Sequence, residues 1–145
     1  MPERTADRPL IDGARDGVLM LQRCPACGHV PSFPRIACPR CFGALEWAAA
    51  SGRGRVETFA VIRRPHHQRF DEQVPIVMAL IELEEGARVI STIVGEDRLD
   101  TTVGVEVVVA SDGRWSPLPQ FRLSRIGRPG RGARELRGRH RPRAW

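Results

Sequence analysis

The residues of this 145-residue chain best suited to chemistry are its four cysteines, and they fall together in Cys24-Pro25-Ala26-Cys27-Gly28 and Cys38-Pro39-Arg40-Cys41-Phe42-Gly43. Two CxxC pairs separated by ten residues ask for one tetrahedral metal ion. Each CxxC turn aims two thiolates at a common point, and two turns complete a four-sulfur shell. Proline inside each pair presets a turn backbone, and Gly28 supplies a permissive φ. The connection is shorter than the about 15–20 residues common in such sites, yet long enough to return the second pair to the first. A structural Zn2+ is the leading reading of Cys24, Cys27, Cys38 and Cys41. A single iron ion would suit the same soft ligands. Disulfides or a dithiol redox centre are further alternatives, although the redox motif belongs in a βαβ context that is not visible here. A closed four-thiolate shell has no open position, so the ion would be structural rather than catalytic. It would contribute about 10 kcal/mol or more to folding its segment.

The rest of the chain offers little for catalysis. No free cysteine remains to act as a nucleophile. His66-His67 lies beside Arg63, Arg64 and Arg69 in a polar loop that could line a ligand mouth, although loop histidines are ordinarily solvated. His29 neighbours the first CxxC, but four cysteines leave no need for it. There is no G-x-S-x-G turn and no glycine-rich phosphate loop, and Gly52-Arg53-Gly54 is too short to count as one. Glu82 and Glu84 alternate along one stretch with Glu85 at its corner, a pattern that usually solvates a sheet edge. The chain by itself is therefore not expected to be an enzyme, and no catalytic residue is assigned.

The elements that must position the cysteines follow from the apolar pattern. Residues 1–17 read as a lead-in with a short helix or turn, in which Gly13 and Gly17 weaken the helix. A ribbon is expected over 18–47, with a strand at Val18–Arg23 entering the first CxxC. Val30–Ile36 connects the metal turns as extended chain suited to an edge strand, since Pro31 and Pro34 forbid a helix. Leu45-Glu46-Trp47 closes the ribbon, and Trp47 covers the metal site or packs on the following domain. The ribbon is expected to lack a core of its own.

Ala48 to Gly54 marks a junction, after which strands dominate. Arg55–Arg63 alternates, with Val56, Thr58, Ala60 and Ile62 on one face. Pro75–Glu84 reads as a central strand, apolar on both faces at its start, and Ala87–Val94 as its hairpin partner. After a polar stretch with room for one helical turn, Val103–Ala110 is a fourth strand. Asp112-Gly113 turns the chain into an irregular edge strand over Trp115–Leu123. Five short, mostly antiparallel strands with one longer connection fit an OB-fold barrel over 52–123. The fold class is thus mainly β, a zinc ribbon followed by a five-stranded OB barrel.

The net charge of +6 belongs to one end. From Arg122 to Trp145 there are nine arginines and one acid (Glu135), whereas residues 1–121 carry −2. Residues 124–145, with arginine at nearly every third position among Gly and Pro, read as a disordered basic tail. Nothing resembles a secretory signal, and no apolar run approaches the about 20 residues needed to span a bilayer. Reduced cysteines then point to a soluble, cytoplasmic protein. Nucleic-acid binding through the tail is the alternative function. Against it stand a slightly acidic body and few stacking aromatics, with five Phe, three Trp and no Tyr in the whole chain.

The motif order resembles a known family. It runs Arg23-Cys24-Pro25-Ala26-Cys27-Gly28, Pro34-Arg35-Ile36-Ala37-Cys38-Pro39-Arg40-Cys41, Leu45-Glu46-Trp47 and Ser51-Gly52-Arg53-Gly54-Arg55-Val56. It continues through Val77–Gly86, Val103–Val107 and Leu118-Pro119-Gln120-Phe121. Over about residues 9–123 this is similar to the OB-fold proteins with an N-terminal rubredoxin-like zinc ribbon, long known as domain of unknown function number thirty-five and linked to acyl-CoA metabolism. The resemblance implies a non-catalytic accessory subunit that binds acyl-CoA or scaffolds a thiolase-fold or hydratase enzyme in a hetero-oligomer. The chemistry would sit on the partner. A CoA ligand carries phosphates, so Arg53, Arg55, Arg63, Arg64 and Arg69 are its candidate contacts. The arginine-rich tail departs from the family pattern.

Overall fold

The computed structural model describes residues 8–64, 67–110 and 116–124. The expected basic tail beyond Ser124, the Asp112-Gly113 turn, Trp115 and His66 lie outside them.

The chain opens with a helix, α1 (Arg8–Arg15), which buries Ile11 and Ala14 three residues apart on one face. Its charged partners, Arg8 and Arg15 on Asp12, are exposed pairs worth little to stability. Gly17 sits at φ 72 immediately past the helix. The Val18 N–H then reaches the Gly13 carbonyl (2.8 Å) and the Gly17 N–H the Ala14 carbonyl (3.2 Å), a Schellman stop. So Gly17 terminates the helix rather than weakening it.

Strands β1 (Met20–Arg23) and β2 (Glu46–Ala49) pair antiparallel, with Gln22 opposite Trp47. They bracket the cysteine segment. The stretch expected as an edge strand, Val30–Ile36, is not one. Pro31 and Pro34 carry no N–H to donate to a ladder. The buried Gln22 side chain supplies the missing rungs. Its Nε2 donates to the Arg35 carbonyl (3.1 Å), and its Oε1 accepts from the Arg35 N–H (2.7 Å).

The remaining strands close a barrel: β3 (Arg53–Ile62), β4 (Ile76–Leu83), β5 (Arg88–Ile93), β6 (Glu106–Ala110) and β7 (Gln120–Leu123). The order around it is β3-β4-β5-β7-β6, with β6 returning to β3. All pairs are antiparallel except β5 with β7, which meet at Ile93 and Phe121. Five strands, closed, with a long connection between β5 and β6, are the OB architecture expected from the sequence.

Three local expectations need correction. Register slips between Val56 and Thr58, so an extra residue bulges out of β3. A bulge reverses the side-chain alternation beyond it. Val56 points inward, but past the bulge the inward residues are Phe59 and Val61, not Thr58, Ala60 and Ile62. The last two strands are also shorter than the pattern suggested. β6 starts at Glu106 rather than Val103, and Pro117 and Pro119 hold the approach to β7 outside the ladder. Finally, the ribbon is not coreless. Leu19 and Leu21 (2% and 8% exposed) belong to one cluster with Val56, Val77, Ile81, Ile93, Val107 and Phe121 of the barrel.

The Ser51-Gly52-Arg53-Gly54 junction is tight for a packing reason. A Cβ on Gly54 would stand 2.7 Å from the Glu82 carbonyl oxygen and 2.7 Å from Ile81 Cγ2. Gly54→Ala must therefore push β3 off β4. Denaturant unfolding should show a loss of about 1–3 kcal/mol, the usual cost of overpacking.

Candidate metal centre and ligand-facing surfaces

Two turns with the same backbone pattern present the cysteines. In the first, the Cys24 N–H bonds the His29 carbonyl (2.9 Å) and the Gly28 N–H bonds the Cys24 carbonyl (2.8 Å). In the second, Cys38 N–H bonds Gly43 O (2.9 Å) and Phe42 N–H bonds Cys38 O (2.8 Å). The residue after each CxxC adopts positive φ, 73 at Gly28 and 59 at Phe42. Glycine takes this freely. Phenylalanine does so at about 1–3 kcal/mol of strain.

The turns cross-pair their sulfurs. Cys24 Sγ lies 3.4 Å from Cys41 Sγ, and Cys27 Sγ lies 3.6 Å from Cys38 Sγ. All four sulfurs fall within 4.8 Å of one another. A tetrahedral ion with Zn–S bonds near 2.3 Å has sulfur–sulfur edges of about 3.8 Å. The four cysteines fit that shell, two buried (Cys24, Cys38) and two exposed (Cys27, Cys41). At these separations, well beyond the about 2.05 Å of an S–S bond, they are four thiols converging on one point and not two disulfides. His29 is not in the group.

The electrostatics show what an ion does for this cluster. Burial alone would raise the Cys38 thiol. The backbone N–H groups of Cys41 and Arg40, with the Cys27 and Cys41 thiols, outweigh it and hold Cys38 down at about 7. At Cys41 the Gly43 N–H favours the thiolate, but the Cys24 and Cys27 thiols, with burial, push it up to about 12. Crowding of the sulfurs thus opposes four thiolates in the absence of an ion. A divalent cation needs four thiolates, so its binding must expel protons. The ion-bound form carries fewer protons than the free form, so acid favours release. Zinc affinity should fall progressively as pH drops from 8 to 5, followed by transfer to a chromophoric chelator. An affinity flat across that range would contradict this.

The candidate ligand arginines are not brought to one place. Arg53 and Arg55 stand at the start of β3 and line a shallow groove with Glu82, Glu84, Glu106 and Ser124. Arg55 is already engaged by Glu106 (3.1 Å). Arg63 and Arg64 lie exposed beyond the other end of this ten-residue strand. At about 3.3 Å per residue, the two pairs are some 30 Å apart along the strand. The Arg69 side chain lies outside the described residues. His67 packs edge-on to Phe70, with ring centroids 6.5 Å apart.

Sequence reasoning missed an apolar cleft of about 130 Å³ where α1, the ribbon and the barrel meet. Leu10, Phe33, Trp47, Ile90, Leu118 and Pro119 are among its walls. Trp47 thus faces the joint with the barrel. Ser91 Oγ fastens the far wall by donating to the Pro119 carbonyl (2.7 Å). The one signal in the sequence was a tryptophan and two isolated prolines at apolar positions, which does not reveal that they converge.

Two family descriptions match this architecture in sequence. The rubredoxin-like zinc ribbon domain of ChsH2 matches residues 12–48, and the C-terminal OB-fold domain of ChsH2 matches residues 47–111. The chain belongs to this zinc-ribbon and OB-fold family. Among curated relatives, a DUF35 domain-containing scaffold protein of Methanothermobacter thermautotrophicus is 44% identical over 87 residues, 59% of this chain and 65% of the relative. A probable enoyl-CoA hydratase alpha subunit of Thermomonospora curvata is 35% identical over 118 residues, 74% of this chain but 36% of the relative. The chain therefore spans under two thirds of either. Among solved structures, the Ltp2-ChsH2(DUF35) aldolase aligns with TM-score 0.68 and 29% identity, covering 85% of this chain and 98% of the matched one. A DUF35-family structure from Sulfolobus solfataricus aligns at TM-score 0.59 and 20% identity, over 83% of this chain and 86% of its own, and shares the fold. Among the described residues, no helix is long and apolar enough to cross a membrane.

Proposed function

We propose that this chain is a non-catalytic accessory subunit of an acyl-CoA-processing enzyme complex, with a hydratase or thiolase-fold partner, and that it helps to hold the acyl-CoA. The ion is a structural zinc held by Cys24, Cys27, Cys38 and Cys41. One observation carries the reading. Ribbon and barrel share a single core through Leu19 and Leu21, so the open apolar cleft at their joint has fixed walls. Fixed walls suit a surface that must present itself to a partner or an acyl chain without ordering cost. The names of the relatives, a scaffold protein and a hydratase subunit, agree with that role.

In this reading the cleft takes the apolar part of the thioester, and exposed arginines meet its phosphates. Arg63 and Arg64 suit this better than Arg55, whose charge Glu106 already offsets. Arg53 and Arg69 stay candidates on charge alone. Affinity purification of the tagged full chain from its native host, with proteins identified by mass spectrometry, tests the partner. Titration of the purified chain with a CoA thioester in a calorimeter tests the ligand. Retention of a hydratase or thiolase-fold enzyme supports the proposal. Its absence together with no thioester binding overturns it.

A further inference from the structure

The second metal turn carries a residue that the fold does not ask for. Phe42 occupies the positive-φ position that Gly28 fills in the first turn, and it does so 84% exposed. Glycine is used one residue later, where the space requires it. A Cβ on Gly43 would lie 3.3 Å from Cys41 Sγ and 3.6 Å from Cys24 Sγ. Two residues before Cys38, where the chain enters the same turn, Ile36 is 100% exposed. A strained backbone and two bare apolar side chains within and just before a metal-stapled turn are costs with no return inside the molecule. The charge around them is one-sided. Residues 24–45 contain Arg35 and Arg40 and no carboxylate. Both arginines are exposed, and neither makes an ion pair among the described residues.

We propose that Phe42 and Ile36, flanked by Arg35 and Arg40, form a plug that seats in an apolar socket rimmed by carboxylates on the partner enzyme subunit. This rests on the accessory-subunit reading and names the surface that makes the contact. A second copy of this chain is a poor occupant, because two tips meeting face to face would oppose arginine with arginine. A nucleic acid is disfavoured because Ile36 offers no ring to stack, and because residues 1–121 carry −2. An exposed aromatic on a rigid turn beside arginines has the composition of an interface hot spot.

The test compares the tagged full chain with its Phe42→Gly and Ile36→Ser variants in the native-host purification, scoring the recovered acyl-CoA enzyme subunit against bait. Zinc content and melting temperature are measured on the same samples. Phe42→Gly should lower recovery about ten-fold or more, the size of a hot-spot loss. It should keep one zinc per chain and melt within about 2 °C of wild type or above, since glycine relieves the strain. Ile36→Ser should also weaken recovery without loss of zinc. Equal recovery by all three proteins overturns the plug and leaves the accessory reading standing. A wild-type chain that retains no acyl-CoA enzyme overturns the plug, and the accessory reading falls with it when the chain also binds no CoA thioester. A Phe42→Gly chain that loses zinc or unfolds shows that Phe42 serves the turn itself, and also overturns the plug. So does a loss confined to bound nucleic acid or to self-association.

Discussion

Replacing Cys38 with Ser, or stripping the ion with a chelator, is expected to open the metal turns while leaving the strands on either side of them in place. A four-thiolate site of this kind contributes about 10–16 kcal/mol of apparent binding energy at neutral pH, and that energy orders the segment it closes. Within Cys24–Gly43 the other fastenings lie in the middle, where Gln22 bonds Arg35, Ser32 Oγ accepts from the Arg88 N–H and Val30 packs on the core, and not at the two turns. The N–H groups of Cys24, Gly28, Cys38 and Phe42 are held by short-range turn bonds, and Ile36 and Phe42 lie in solvent. β1 is held differently. Leu19 and Leu21 are buried among barrel side chains, and Leu21 stands opposite Ala48 of β2. Hydrogen exchange should therefore show protection collapsing at those four turn amides and surviving at β1 and β4. A ribbon with no share of the core would instead lose protection across all of 18–47. Exchange at β1 as fast as at the turns would return the ribbon to that independent status.

The second large effect is at Phe121, the largest fully buried side chain among the described residues, at 1% exposure. It stands where the barrel closes. Its carbonyl accepts from the Val94 N–H (2.7 Å), its strand meets β5 in parallel at Ile93, and it lies opposite Val109 of β6. Phe121→Ala leaves that backbone ladder possible but removes the side chain that fills the interior. A loss of about 3–5 kcal/mol is expected, which is a large part of the about 5–15 kcal/mol that holds a typical domain together. Phe33→Ala is the control. Phe33 is more than half exposed at the cleft rim, so its truncation should fall within about 0.5 kcal/mol. Equilibrium denaturation of the zinc-loaded chain measures both.

The parts that the sequence made legible are those that depend on spacing and period. Two CxxC pairs can converge on one ion almost whatever lies between them. β4, with inward Val77, Ala79, Ile81 and Leu83, announces itself by a nearly unbroken apolar run from Ile76 to Leu83. What stayed hidden depends on contacts between distant residues. The bulge between Val56 and Thr58 leaves no mark, because Thr58, Phe59, Ala60 and Val61 are compatible with either facing. Gln22 reads as a polar strand residue, and nothing local says that its amide replaces the rungs Pro31 and Pro34 cannot supply. The arginines looked like one set because a linear chain shows number and sign. Only the length of β3 separates Arg53 and Arg55 from Arg63 and Arg64. The cleft needed three elements to be placed before it existed at all.

The shared core also bears on how the chain reaches its native state. Leu19 and Phe121 pack in one cluster although about a hundred residues separate them in sequence. Contacts of that separation are slow to form, since the loop they close must be ordered before the contact rewards it. During synthesis the cysteine turns, whose ligands span only Cys24 to Cys41, can capture their ion early. β1 then waits, with Leu19 and Leu21 bare, until Gln120–Leu123 arrives to complete the barrel between β5 and β6. Until that moment two strand edges and half a core are open to other chains. The last four-residue strand thus governs the interval during which a nascent molecule is most exposed to misassembly.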